Sequence, residues 1–317
     1  MITALTDREI LHELEPVAEA QLNEHLRQAK PWNPHDYIPW DEGRNFAAMG
    51  GIDWQPEQST LNEVARAAMV TNLLTEDNLP SYHREIADTF GLDGPWGTWV
   101  GRWTAEENRH AIAMRDYLVV TRAVDPVALE RARMEHMTTG VASPEQISQF
   151  LSGVAYVTLQ ELATRISHRN TGTACGEPIA ERMLSRIATD ENLHMIFYRR
   201  IGAAALDLTP NQMMRALADV VTQFQMPGLT QPDFRRNAVL LAKHGIYDLR
   251  QHLDGVLRPV LRAWRVFDRT DLCDDGEAAR EELHAYIADL EIKAARFEEQ
   301  RDRALAREAM RAARAAG

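Results

Sequence analysis

Apolar residues return every three to four positions through most of this chain, and nowhere do they alternate with polar ones at the two-residue period of a strand over a useful length. The fold class read from this pattern is all-α. Ile10, Leu11, Leu14 and Val17 predict a first helix, with Thr6 and Asp7 to cap it. From Lys30 to Trp54 the pattern gives way to Pro31, Trp32, Pro34, Trp40, Gly50, Gly51 and Trp54, which suits an ordered loop wrapped on a scaffold. Helical spacing resumes after Ser59, the expected cap, and runs through Val64, Ala68, Met69, Leu73 and Leu74 toward Phe90. Pro80 interrupts it four residues after Glu76; it cannot donate to the Glu76 carbonyl, so a kink is expected there. Pro95 opens the next helix, to about Thr121, and a shorter one covers Pro126 to Met137. Ser143 or Pro144 begins a long helix that fades at Asn170 to Gly172, and Pro178 begins another that stops before Pro210.

Long rods of about 25 residues predict a four-helix bundle core with further helices packed outside it. The chain then divides into an N-terminal helix and aromatic loop (1–58), a core of about 59–206, outer helices (207–276) and a charged helical tail (277–317), all in one domain. The outer helices are expected at Asn211 to Phe224, Gln231 to Lys243, Leu249 to Leu257 and Val260 to Asp268. In the tail, Leu283, Ile287, Leu290 and Ile292 have something to pack, whereas Arg301 to Gly317 reads as a solvated, frayed end.

Composition narrows the function classes. A net charge of −12 argues against general nucleic-acid affinity, which needs a concentrated basic surface. No apolar run approaches the roughly 18 residues of a membrane span, and the first residues do not read as a secretory signal. Two cysteines, Cys175 and Cys273, make neither a disulfide framework nor a zinc site, so a reducing cytoplasm is the expected home.

The chemistry lies in a repeated spacing. Glu107 and His110, and again Glu191 and His194, sit three apart, so each pair shares a helix face and can reach one metal ion. Both copies read acidic residue, Glu, Asn, any residue, His. Glu76 lies 31 residues before Glu107 and Glu161 lies 30 before Glu191, which completes two sets of one Glu and one Glu-x-x-His. Roughly one Glu-x-x-His pair is expected by chance in such a composition; the other two here, Glu9 with His12 and Glu281 with His284, lack an upstream Glu and read as solvated faces. Four carboxylates and two imidazoles favour a pair of iron or manganese ions over soft-metal chemistry, and six such groups facing a core without metal would be costly.

The segments Asn72–Pro80, Trp103–His110, Gln160–Thr171 and Asp190–His194 closely resemble the soluble acyl-acyl carrier protein desaturases, and most of all their actinobacterial branch, with similarity from about Leu11 to Phe267. The resemblance implies a homodimer of ferritin-like subunits, each with two iron ions, that takes electrons from ferredoxin, activates O2 and inserts a cis double bond into an acyl chain on acyl carrier protein. It carries Glu76, Glu107, His110, Glu161, Glu191 and His194 over as the iron ligands. Trp32 matches a surface tryptophan that joins Asp190 and His110 in an electron route, and Thr164 matches a threonine beside the dioxygen site, with a hydroxyl bonded to its own helix as the plain alternative.

Two expectations concern substrate. A glycine inside a helix usually needs a reason, so Gly153 marks an apolar channel past Tyr156, Val157, Gln160 and Thr164, or else a tight helix contact. Acyl carrier proteins are acidic, so a local cationic surface is needed, and Arg258, Arg262 and Arg265, at i, i+4 and i+7, form one helical stripe for docking, with Arg235 and Arg236 as a second cluster. Competing readings are an acyl hydroxylase or oxidase, a ribonucleotide reductase radical subunit, an iron store and a non-catalytic helical binding protein. The radical subunit would need a tyrosine where Met114 stands.

Overall fold

The structure is a computed structural model describing residues 4–140, 148–226, 228, 231 and 233–316, and among these there is no strand. Helix α1 spans Asp7–Gln28. Thr6 caps it as expected, in a capping box: the Thr6 hydroxyl oxygen accepts from the Glu9 amide (3.3 Å) and Glu9 Oε2 accepts from the Thr6 amide (2.8 Å). Asp7 serves a different helix. Its carboxylate accepts from the amide of Phe150 (3.0 Å), the first residue of α6 (Phe150–Cys175). Ser143 and Pro144, the expected opening of that helix, lie outside the described residues; the helix itself begins after extended Gln149.

The aromatic loop is held by one arginine. Arg122 is buried and donates to the carbonyls of Asn45 (2.9 Å) and Ile52 (2.9 Å), and Trp54 donates from its indole to the Arg122 carbonyl (2.9 Å). Helix α2 (Glu63–Asp77) is capped by Asn62 instead of Ser59: Asn62 Oδ1 accepts from the Ala65 amide (2.9 Å), while the Ser59 hydroxyl donates to the Ala123 carbonyl (2.7 Å). The expected kink at Pro80 is a complete break. The Asn78 amide takes the Glu76 carbonyl, and α3 (Leu79–Phe90) starts afresh with Pro80 in its first turn, where a missing N–H costs nothing.

Helices α4 (Gly94–Val120) and α7 (Pro178–Leu208) complete the core with α2 and α6, and α5 (Pro126–Thr139) lies outside. Helix α6 runs past Gly172 because that glycine is a contact point. A Cβ there would meet the Glu181 Cα at 3.3 Å and the Leu184 Cβ at 3.4 Å, so its absence lets α6 and α7 approach. The stop falls at Gly176, whose φ of +61° suits glycine.

The outer layer comprises α8 (Pro210–Gln223), α9 (Phe234–Lys243), α10 (Leu249–Gln251), α11 (Arg258–Ala263) and α12 (Asp274–Ala316). Between α10 and α11 a π-helical stretch, His252–Leu257, keeps the rod continuous; its wider turn precedes Pro259, which has no N–H to donate. The tail is less free than expected. Arg301 pairs with buried Asp248 (3.0 Å) and Glu308 with Lys243 (2.6 Å), so α12 stays docked beyond residue 300. No described helix is long and apolar enough to cross a membrane.

Candidate metal centre

Four helices deliver the proposed ligands to one place. Glu76 comes from the last turn of α2, Glu107 and His110 from the middle of α4, Glu161 from α6, and Glu191 and His194 from α7. All six are buried, the most exposed being Glu107 at 7%. Glu76, Glu107, His110 and Glu191 bring ligating atoms within 4.8 Å of one another, and so do Glu107, Glu161, Glu191 and His194. Glu107 and Glu191 belong to both sets, so each could serve either of two ions. The solitary pairs Glu9 with His12 and Glu281 with His284 are exposed, as expected.

The donor atoms fit a pair of cations. His110 Nδ1, His194 Nδ1, Glu107 Oε1, Glu161 Oε2 and both Glu191 oxygens are buried without a well-aligned hydrogen bond. Nδ1 of His110 stands 3.4 Å from Glu107 Oε2, 3.4 Å from Glu191 Oε1 and 3.6 Å from Glu76 Oε2, while Nδ1 of His194 stands 2.7 Å from Glu107 Oε1 and 3.5 Å from Glu161 Oε2. Six orphaned buried groups in one pocket would cost at least ~1 kcal/mol each, and four carboxylates balance two divalent ions. Without such ions the pocket distorts its own titrations. Burial, then the Glu107 and Glu191 charges, drive the Glu161 carboxyl well above the usual carboxylate range. Burial pushes the His110 and His194 imidazoles down, but the surrounding carboxylates outweigh it and hold both well above the usual histidine value.

Behind the ligands the pattern is reciprocal. His110 Nε2 faces Asp190 Oδ2 (3.4 Å) from the α7 motif, and His194 Nε2 faces Glu106 Oε2 (2.9 Å) from the α4 motif. Asp190 also accepts from the Trp32 indole (2.7 Å) and Arg109 (3.0 Å) and pairs with Arg186; Glu106 meets His25 Nε2 (2.9 Å) and pairs with Arg102. Trp32 is thus joined to Asp190 and His110 as the resemblance implies, but it is 7% exposed and not a surface residue. Its ring is parallel to His110 (6.3 Å between centroids) and lies under the Arg109 and Arg186 guanidiniums. The terminal carboxylates are steadied as well: His168 Nε2 lies 2.8 Å from Glu76 Oε1, and the Trp103 indole donates to Glu161 Oε1 (3.0 Å).

Sequence reasoning assigned no role to Glu106, His25, His168 or Trp103. Glu106 holds the same place in its motif as Asp190 and was readable from that symmetry. His25, a helical turn or more from any motif, carries no local signal.

Two cavities reach the centre. One, of about 40 Å³, is lined by Leu79, Tyr82, Ile86, Trp103, Tyr156, Val157 and Gln160 and touches Thr75, Glu76 and Glu107. The other, of about 100 Å³, also touches Thr75 and Glu76; it is lined further by Asn72, Thr164, Ser167 and His168 of the core and by Phe234, Ala238 and Leu241 of α9. Tyr156, Val157 and Gln160 therefore share a cavity wall, but two members of the expected channel face do not join them. Gly153 is buried on α6 outside both linings, and Thr164 belongs to the second cavity. The Thr164 hydroxyl is bonded to the carbonyls of Glu161 (3.1 Å) and Gln160 (3.2 Å) of its own helix.

The arginine stripe is not one helical stripe. Helix α11 ends at Ala263, and Arg265 follows with φ of +51°, so the i+7 position is off the helix. The three arginines still border one groove between α11 and α12, with Phe267, His284 and Ile287. Arg258 is occupied by Asp254 and Glu291 (2.5 Å), and Arg265 lies 3.9 Å from Asp268. Arg262 has no carboxylate partner among the described residues.

A helical bundle whose core helices converge on two buried carboxylate–imidazole sets is a ferritin-like fold with clusters able to hold metal. Residues 6–314 match the fatty acid desaturase family, and the chain belongs to it. It is 57% identical to DesA1 of Mycobacterium tuberculosis, named as an acyl-[acyl-carrier-protein] desaturase, over 98% of this chain and 93% of that one. It is 28% identical to the Arabidopsis thaliana stearoyl-[acyl-carrier-protein] 9-desaturase 3, over 92% of this chain and 76% of that protein. Among solved structures, the X-ray structure of DesA2 from Mycobacterium tuberculosis superposes with a TM-score of 0.68 at 34% identity, covering 81% of this chain and 94% of that one.

Proposed function

We infer that this chain is an oxidoreductase, an acyl-acyl carrier protein desaturase that introduces a cis double bond into a carrier-bound fatty acyl chain. The observation that carries the reading is that two cavities, one on each side, are both lined by Thr75 and Glu76, on the edge of the carboxylate–imidazole pocket. Joined by a shift of Thr75 or Glu76, they would make a bent path past the centre, as a chain oxidised at an internal position requires. The apolar limb between Leu79, Ile86, Trp103 and Val157 suits the hydrocarbon tail and excludes water. The limb toward α9 suits the carrier-linked end.

Glu76, Glu107, His110, Glu161, Glu191 and His194 would hold two iron ions, which with O2 and two electrons would supply the oxidation that removes two hydrogens from adjacent carbons. The chain's own groups prepare for it. Asp190 and Glu106 each accept from a histidine Nε2–H, which leaves both Nδ1 atoms for metal. His168 and Trp103 fix the rotamers of Glu76 and Glu161. Trp32 and Asp190 lead from beneath the Arg109 and Arg186 cations to His110, which suits an acidic electron donor of the ferredoxin type. Tyr156, Val157 and Gln160 hold the acyl chain, Gly153 lies behind them, and Thr164 presents its side chain to the polar limb. For the acidic carrier, Arg262 is the unpaired charge of the α11 groove, and Arg235 and Arg236 stand exposed beside Phe234, which lines the α9 limb. The resemblance supports assembly as a homodimer.

The test is mass spectrometry of acyl carrier protein after incubation with iron-loaded protein, reductant and oxygen. Loss of two hydrogens from one acyl chain is expected. Addition of oxygen instead would make the protein a hydroxylase, and an unchanged carrier together with the absence of bound iron would leave only a binding function.

A further inference from the structure

The two halves of the centre are matched in pattern and unmatched in support. Asp190, behind His110, has three other donors, Trp32, Arg109 and Arg186, spread over both of its oxygens. Glu106, behind His194, has fewer. Arg102 engages Oε1, Arg109 stands off at 3.7 Å from the same atom, and Oε2, the oxygen that meets His194, has His25 as its one other partner. A carboxylate is acceptor-only, so both imidazoles donate to that oxygen, and His25 decides where it sits when His194 turns Nδ1 to a metal.

His25 is placed for this task. It lies on α1, outside the four core helices, yet is 4% exposed. It packs edge-on against Trp99 (5.1 Å, 87°) and near-parallel to His194 (5.8 Å, 25°), and its Nδ1 has no partner, so its hydrogen bonding is directed wholly at Glu106. We propose that His25 is a positioning residue for the metal position formed by Glu107, Glu161, Glu191 and His194, acting through Glu106, so that the two metal positions are unequally anchored and α1 selectively secures one of them.

The proposal rests on the two-iron reading. Direct outer partners of metal-ligating histidines, here Glu106, typically alter affinity by ~10–100-fold, so His25→Phe, which keeps a ring and loses the donor to Glu106, should weaken the His194-side ion by about tenfold, the low end of that range. Iron assay of the purified variant should fall from two toward one per chain, and anomalous diffraction at the iron edge should show the loss confined to the His194 side. His25→Gln, which restores an N–H donor, should recover the second ion. Trp32→Phe, the mirror change, should retain two, because Asp190 keeps both arginines. Equal loss from both positions in His25→Phe, or full occupancy of both, overturns the proposal. If that variant does not fold, Glu106→Gln is read by the same assay, and equal occupancy there overturns it. Wild-type protein that binds no iron would instead overturn the two-iron reading itself.

Discussion

The metal pocket and the outer layer of α9 to α12 are both dense with charge, and they compensate it by opposite means. In the pocket, four carboxylates and two imidazoles are shut from solvent and face one another, with six of their atoms lacking a well-aligned hydrogen bond. In the outer layer, Glu291 bridges Arg250 (2.7 Å) and Arg258 (2.5 Å), and Lys243 reaches Glu308 (2.6 Å), with water at hand for all of them. Exposed pairs of that kind contribute ~0–1 kcal/mol each. The outer charges tune how helices lie; the inner ones make a demand that only cations meet.

The largest effect should follow from attacking that demand directly. Glu107→Ala removes a carboxylate shared by both metal sets, and iron content should fall below one per chain with desaturation lost; two tightly held irons and ordinary turnover would erase the distinction between the regions.

Next comes pH. In the metal-free protein the His168 imidazole is held at about 9, burial pushing it down but contacts with Glu191 and Glu76 raising it further. His110, His194 and Glu161 are displaced in the same upward direction. A group whose folded pKa is raised gives stability that is present below its unfolded value and lost as pH rises through the folded one. Thermal denaturation of metal-free protein should therefore show falling stability from pH 6.5 to 9. Iron-loaded protein, with ions in place of protons, should show a flatter profile and melt about 10 °C higher at neutral pH. Parallel pH profiles for the two forms would count against the pocket as the source.

Between the two regions lies the cavity wall. Ile86→Trp should fill the apolar limb and lower kcat/KM on the longest good acyl substrate about tenfold, an order set by the loss of about two methylene contacts at ~0.8 kcal/mol each, while a shorter chain is turned over as before. Equal loss on both would show a general defect and not a filled limb. The smallest effect belongs to the outer layer. Arg262→Glu should raise KM for acyl carrier protein about threefold at low salt and less at physiological salt, where the Debye length is ~8 Å. Salt-independent kinetics identical to wild type would remove the α11 groove from docking and leave Arg235 and Arg236.

The same division explains what could be read without coordinates. Each ligand pair sits on a single helix, so the three-residue spacing of Glu107 with His110 and Glu191 with His194 is a local fact that survives folding unchanged. Thr6, Pro80 and Pro178 were legible for the same reason, since caps and breaks are local chemistry. Gly172 was misread as a terminator because its meaning is the approach of Glu181 and Leu184 on another helix. Ser59 gave way to Asn62 as the cap because its hydroxyl is bonded to Ala123. The arginine stripe depended on α11 continuing to Arg265, whereas the helix ends at Ala263. His25 and His168 act across 81 and 92 residues of chain, on Glu106 and Glu76, distances at which spacing carries no message.

The reciprocity of the two motifs also bears on how such a protein is made. His110 and its backing carboxylate are separated by 80 residues, so a ribosome adding ~5–20 residues per second has completed α4 several seconds before Asp190 exists. During that interval Glu106 and Glu107 lie side by side with neither the α7 imidazole nor the α7 carboxylate to meet. A nascent chain can offer a passing ion only a fragment of a site, and both positions become complete together when α7 docks. Both donor sets thus wait for α7, whose last residue is Leu208, while the outer helices that follow it are still to be made.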